Sequence, residues 1–146
     1  MDEPDRLLRN ATYQLFVDLG RAPTPAQVAT AIGLPKQTVE QGWHRLHEAH
    51  ALVLSKGGEL LMANPFAALP TPHRVEATGS HWYANCAWDA FGICAALGTD
   101  GRVTTTCPDC GEELVVVVQG QRPLDDSTYF HCLVPARAWW DDIAFT

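Results

Sequence analysis

The segment that most narrows the folds open to this chain is PTPAQVATAIGLPKQTVEQGWHRLHEAHALVLSKGGELLM, Pro23 to Met62. Thr24 before Pro25 reads as a helix N-cap with proline in the first turn, and Gly33 ends a short helix. Leu34–Pro35 predicts a turn. A second helix then carries Val39, Trp43, Leu46 and His47 on related faces. ALVLSKGGELLM reads as a hairpin with Gly57–Gly58 at its tip. Ahead of this segment, PDRLLRNATYQLFVDLG places Leu7, Leu8, Ala11, Leu15, Phe16 and Leu19 at spacings of three and four, and Gly20 is a natural stop. Helix, short helix, turn, longer helix and hairpin is the layout of a winged helix-turn-helix lobe, predicted for residues 1–63.

That layout raises DNA reading as a function, and the charges oppose it. Residues 1–64 hold six Lys/Arg (Arg6, Arg9, Arg21, Lys36, Arg45, Lys56) against seven Asp/Glu. The helix that would enter a groove offers Lys36 and Arg45, diluted by Glu40 and Glu48, whereas a DNA-contacting face concentrates cations. A formal charge of −7 on the whole chain argues the same way, because phosphate backbones are held by Lys and Arg. Nucleic acid is therefore not an expected partner, and the lobe is expected to serve as a packing module.

At 146 residues and 47% hydrophobic, the chain can bury a core as one unit or two small lobes. Its longest aliphatic run, LVVVV at 114–118, is strand-sized, so no membrane association is expected. The acidic, polar MDEPDRLLRN lacks the apolar core of a signal peptide, which makes a cytoplasmic location the expectation. Residues 64–81, NPFAALPTPHRVEATGSH, hold three prolines and little periodicity and read as an extended linker. Residues 82–146 form the second predicted lobe. It has a helix from about Trp82 to Leu97, strands in RVTTT and EELVVVVQ on either side of CPDCG, a third strand in TYFHCLV, and a turn or short helix in PARAWWDDIAFT. The predicted fold class is α+β: a winged-helix-like helical lobe followed by a helix packed on a small, mostly antiparallel sheet.

Five cysteines is an odd count, which excludes a fully paired disulfide framework. Reduced thiols in a cytosolic protein point to metal binding or catalysis. In HWYANCAWDAFGICAALG, Cys86 and Asp89 stand three apart, close enough on a helix for their side chains to meet. A carboxylate beside a thiol can take or deliver its proton, and a soft metal would stabilise the thiolate. The same spacing equally describes a buried cysteine next to a surface acid. Cys94, two turns on, reads as core filler. Cys107 and Cys110 in CPDCG have the spacing of half a zinc ribbon. The further ligands at hand are His131 and Cys132, which point to opposite faces of a strand. Cys107 and Cys110 are thus candidate soft-metal or structural thiols, with zinc as a candidate ion. In WWDDIAF, Trp139 and Trp140 are expected to cover the lobe boundary, with Asp141 and Asp142 capping a turn.

Taken together these pieces resemble the alkylmercury (organomercurial) lyase family. YANCAWDAFGICAALG is similar to the family's active helix, with a cysteine followed three positions later by an aspartate and a closing glycine. RVTTTCPDCGEEL resembles the family's second cysteine region, and LVPARAWWDDIAFT the segment leading to its last catalytic cysteine. The resemblance implies cleavage of carbon–mercury bonds, giving a hydrocarbon and Hg(II), with no cofactor required. It implies that Cys86 is the first mercury ligand, Asp89 the proton carrier and Cys107 a structural thiol. Cys94 and Cys110 have no counterpart. The implied partners are an organomercurial substrate, low-molecular-weight thiols, and mercuric reductase as acceptor of the product.

The family's second mercury-binding cysteine falls just after WWDDIAFT, where this sequence stops at Thr146. The expectation is therefore that the second lobe continues and that a cysteine or selenocysteine follows Thr146. The competing reading is a thiol-based metal-binding or metal-sensing winged-helix protein without lyase activity. A zinc-stabilised fold with no catalysis is a third.

Overall fold

A computed structural model of the chain describes residues 1–125, 127–130, 132 and 134–143. Helix α1 (Glu3–Leu19) starts at Asp2, whose side chain accepts from the Asp5 N–H, and ends at Gly20 in the left-handed conformation. Its buried stripe is Asp5, Leu8, Thr12 and Phe16, while Leu7 and Leu19 face solvent. Helix α2 (Pro25–Ile32) carries a reciprocal capping box between Thr24 and Gln27. Helix α3 (Lys36–Glu48) buries Val39, Gly42, Trp43 and Leu46. Trp43 donates its indole N–H to Thr12 at 2.9 Å, and Thr12 donates in turn to the Leu8 carbonyl at 2.9 Å. The polar atoms of this core are thereby satisfied. Both Lys/Arg side chains of α3 are engaged: Lys36 with Glu40 at 2.7 Å and Arg45 with Asp5 at 2.6 Å.

The hairpin follows as β1 (Val53–Leu54) and β2 (Leu60–Ala63). Six more strands join them: β3 (Phe66–Ala67), β4 (Arg74–Ala77), β5 (Ser80–Ala84), β6 (Gly101–Thr106), β7 (Glu113–Gln119) and β8 (Arg122–Pro123). All pairings are antiparallel, in one sheet of order β1-β2-β3-β5-β4-β6-β7-β8. Helix α4 (Ala87–Leu97) packs on β4, β5 and β6. No helix among the described residues is long and apolar enough to cross a membrane.

Two boundaries differ from the sequence expectation. Residues 64–81 are not a linker but contain β3, β4 and the start of β5, so the sheet runs unbroken from the hairpin into the second lobe. In RVEA, Val75 and Ala77 are buried while Arg74 and Glu76 face out, an alternation too short to stand out among three prolines. The second helix-to-strand boundary also moves. Trp82 and Ala84 are alternate buried residues of β5, and the helix begins only at Ala87. Phe16 of α1 stacks on Phe66 of β3 at 5.1 Å, and the Trp82 indole donates to the Phe16 carbonyl at 3.4 Å. One hydrophobic cluster therefore extends from Leu8 to Val118.

The described residues of TYFHCLV form no strand, and His131 and Leu133 lie outside the described residues. Ala136–Asp141 makes a 3-10 turn whose Trp140 stacks on His50 at 4.1 Å. Ala144, Phe145 and Thr146 lie outside the described residues.

Candidate active site

The corner between β5 and α4 is built residue by residue. Thr71 donates to the Ala84 carbonyl at 2.6 Å, which fixes the end of β5. Asn85 donates through Nδ2 to Oδ1 of Asn64 at 2.9 Å. Cys86 is extended (φ −146°, ψ 177°) and occupies the N-cap position of α4, so its sulfur faces the free N–H groups of the first turn. It makes no side-chain capping hydrogen bond, but the N–H groups of Asp89 and Trp88 favour its thiolate. Its thiol donates to Oδ2 of Asp89 at 3.6 Å.

Burial dominates the electrostatics of this pair. Burial is the largest influence on Cys86 and pushes its thiol up; the nearby Asp89 charge adds to this, and the two backbone N–H groups oppose it. Asp89 is pushed up as well, again chiefly by burial, against hydrogen bonds from Asn85 and Cys86 that favour its anion. Neutral thiol and neutral acid are thus favoured more than they would be in water. A thiol of this kind becomes a thiolate when a soft metal replaces its proton.

Helix α1 closes one side of the corner. The Tyr13 hydroxyl donates to the Asn64 carbonyl at 3.0 Å, with the Ala51 carbonyl at 3.3 Å, and the Arg9 guanidinium lies 4.4 Å from its ring centre. Burial is the main reason the Tyr13 phenol is raised, and the Asp89 charge contributes. Helix α4 approaches the Asn64–Pro65 corner closely: a Cβ at Gly92 would lie 3.2 Å from the Pro65 Cβ. Trp88 is exposed and tilts against Phe130 at 6.0 Å.

The other cysteines are placed apart from this pair. Cys94 is buried in the core, where a Cβ on Gly101 would come within 2.8 Å of its sulfur. Cys132 is exposed and donates to the Val134 carbonyl at 2.9 Å. Cys107 and Cys110 sit in the turn between β6 and β7. There the Cys107 thiol is lowered by N–H groups of Cys110 and Asp109 and by the Cys110 thiol. Among the described residues no three His, Cys, Asp or Glu gather into a group able to hold a metal ion. His131, an expected third ligand, is outside them.

The family model for alkylmercury lyase matches residues 66–146, more than half of the chain. The chain belongs to the alkylmercury lyase family. The matched alkylmercury lyase span contains Cys86, Asp89, Cys107 and Cys110, whereas Arg9, Tyr13 and Asn64 precede it. The chain is also similar to the crystal structure of the mercury-bound form of MerB2, at a TM-score of 0.66 and 21% identity. That likeness, one of fold, covers 86% of this chain and 60% of that chain. It therefore reaches into the helical lobe, beyond the span matched by the alkylmercury lyase family model. No curated protein matches the chain.

Sequence reasoning missed the polar shell of this corner. Asn64, Asn85 and the Arg9–Tyr13 pair of α1 are far from one another in the chain and meet only because β3 and β5 are neighbours and α1 lies against them. No spacing rule could have gathered them.

Proposed function

We propose that the β5–α4 corner cleaves carbon–mercury bonds, with Cys86 as the mercury-binding thiol and Asp89 as the proton carrier. The observation that carries this reading is the Cys86–Asp89 contact of 3.6 Å, made by two groups whose neutral forms burial favours, within the span that matches the family.

In this mechanism the Cys86 sulfur displaces the anion that accompanies the organomercurial's mercury, which leaves to solvent, and the thiol's proton passes to ionised Asp89. A second thiolate, supplied by a low-molecular-weight thiol, joins the metal and raises electron density on carbon. The carbon–mercury bond breaks with its electron pair going to carbon, which takes the proton from Asp89 as general acid. The products are the hydrocarbon and Hg(II) held by two sulfurs. No resident cofactor takes part, and the metal leaves to a thiol acceptor, with mercuric reductase as the family's implied acceptor. Mercury is soft and thiolates outcompete oxygen and nitrogen ligands for it, so a site of one thiol and one acid suits this substrate class.

The test is hydrocarbon release from an organomercurial in excess thiol. Release by the chain and its loss in Cys86→Ser are expected; undiminished release by Cys86→Ser would refute the assignment.

A further inference from the structure

Cys107 and Cys110 have no part in the chemistry above, yet the sheet register brings them to the same end of the molecule as Cys86. Arg74 of β4 pairs with Tyr83 on one side and with Thr104 on the other. Cys86 lies three residues beyond Tyr83, and Cys107 lies three residues beyond Thr104. Because β5 and β6 are both antiparallel to β4, they leave the sheet at the same end, two strand spacings or roughly 10 Å apart. The next residue pair keeps this alignment: the Ala84 N–H donates to the His73 carbonyl at 2.9 Å, and His73 Nδ1 lies 2.6 Å from the Thr105 hydroxyl.

The turn itself draws its two sulfurs together. Cys107 N–H donates to the Glu112 carbonyl at 2.8 Å and Gly111 N–H to the Cys107 carbonyl at 2.9 Å, which closes CPDCG into a tight loop. The Cys107 thiol is lowered by the N–H groups of Cys110 and Asp109 and by the neighbouring Cys110 thiol. Both thiols are free, Cys110 is exposed, and Asp109 places a negative charge beside them. Zinc in a structural site takes four ligands, and no third His, Cys, Asp or Glu completes such a group among the described residues. Two adjacent thiols without further ligands suit a soft ion that is content with two sulfurs.

We propose that Cys107 and Cys110 are a second thiol station that takes Hg(II) over from Cys86. The origin of the metal rests on the lyase reading; the binding does not. The transfer is thiol exchange, with nothing oxidised or reduced. A low-molecular-weight thiol first takes mercury from Cys86, which leaves as thiolate and takes up the proton that the thiol gave up. A Cys110 thiolate then displaces one thiolate from the metal, and the displaced thiolate takes up the Cys110 proton. Cys107 then displaces the remaining thiol in the same way, and the reactive corner is free for another substrate.

The binding test uses the full chain, reduced, carrying Cys86→Ser and Cys132→Ser. Mercuric chloride is added with an excess of a competing monothiol. Retained mercury is measured after gel filtration, together with the thiolate-to-mercury absorption band. Retention is expected, and adding Cys110→Ser, at an exposed position that leaves the fold intact by circular dichroism, should abolish it. No retention, retention unchanged by Cys110→Ser, or displacement of mercury by equimolar Zn(II) would each overturn the proposal. Since Cys86 is absent from that protein, failure of the lyase reading shows separately, as lack of hydrocarbon release by the unsubstituted chain. When that chain does release hydrocarbon, Cys110→Ser should leave the first turnover unchanged and slow later ones at limiting thiol. Equal rates in every turnover would refute the hand-over.

Discussion

Asp89 holds its proton more tightly in the folded chain than a carboxyl does in water, because burial penalises the anion. The folded state therefore binds more protons than the unfolded state between the ordinary carboxyl value and the raised one. Ionised Asp89 opposes folding above the raised value, and stability is regained as pH falls through it, fully so below the ordinary value. Replacing Asp89 with Asn should thus stabilise the fold at neutral pH, with the advantage fading in acid; melting curves across pH would show it. In the lyase assay the same variant should lose roughly 10²–10⁴-fold in hydrocarbon release, the usual worth of a general acid, while Cys86 still captures mercury. Thr12 makes a different kind of contribution. Its hydroxyl is fully buried between the Trp43 indole and the Leu8 carbonyl. Thr12→Val should cost about 1–3 kcal/mol in denaturant unfolding, because the indole N–H is left without a partner. Thr12 was not legible in the sequence, being a lone hydroxyl on an apolar face; Asp89 read from spacing alone as a surface acid beside a buried cysteine, and as a proton carrier only through the family resemblance.

Elements were legible where capping and turn residues marked them. Thr24, Gly33 and Gly57–Gly58 stand at the ends of α2 and at the hairpin tip as expected. The misplaced start of α4 has a simple cause. Trp82 and Ala84 continue the apolar run of the helix, and no polar cap residue marks the change, because the N-cap position is taken by Cys86. The overlooked strands β4 and β5 had one available signal. Thr78 and Gly79 join them, both at positive φ (51° and 79°), the two-residue hairpin geometry that matches strand twist. Close helix contact was equally hidden. Gly42 lies so near Leu8 that a Cβ there would come within 2.2 Å of Leu8 Cδ2. Gly42→Ala should therefore cost about 1–3 kcal/mol from overpacking, despite alanine's better helix propensity, and a chemical denaturation midpoint would measure it.

On the scale of the molecule, the expected partition into two lobes and a linker gives way to a shared interior. Phe16 and Phe66 stack, Trp82 bonds to the α1 backbone, and Tyr13 reaches Asn64 beside the reactive corner. Phe66→Ala should cost about 3–5 kcal/mol, and Trp43 and Trp82 fluorescence should report one transition, not two. A split into two transitions would show that the lobes fold separately. In the helical lobe both α3 cations are paired, Lys36 with Glu40 and Arg45 with Asp5.

The position of Cys94 has a consequence for survival under the proposed function. Organomercurials and Hg(II) poison proteins by seizing whatever sulfur they can reach. Cys94 is only 1% exposed, and Gly101 leaves so little room at its sulfur that even a methyl group would collide. An atom as bulky as mercury meets no open approach to that sulfur, so under the proposed function the core stays sheltered while mercury is bound at Cys86.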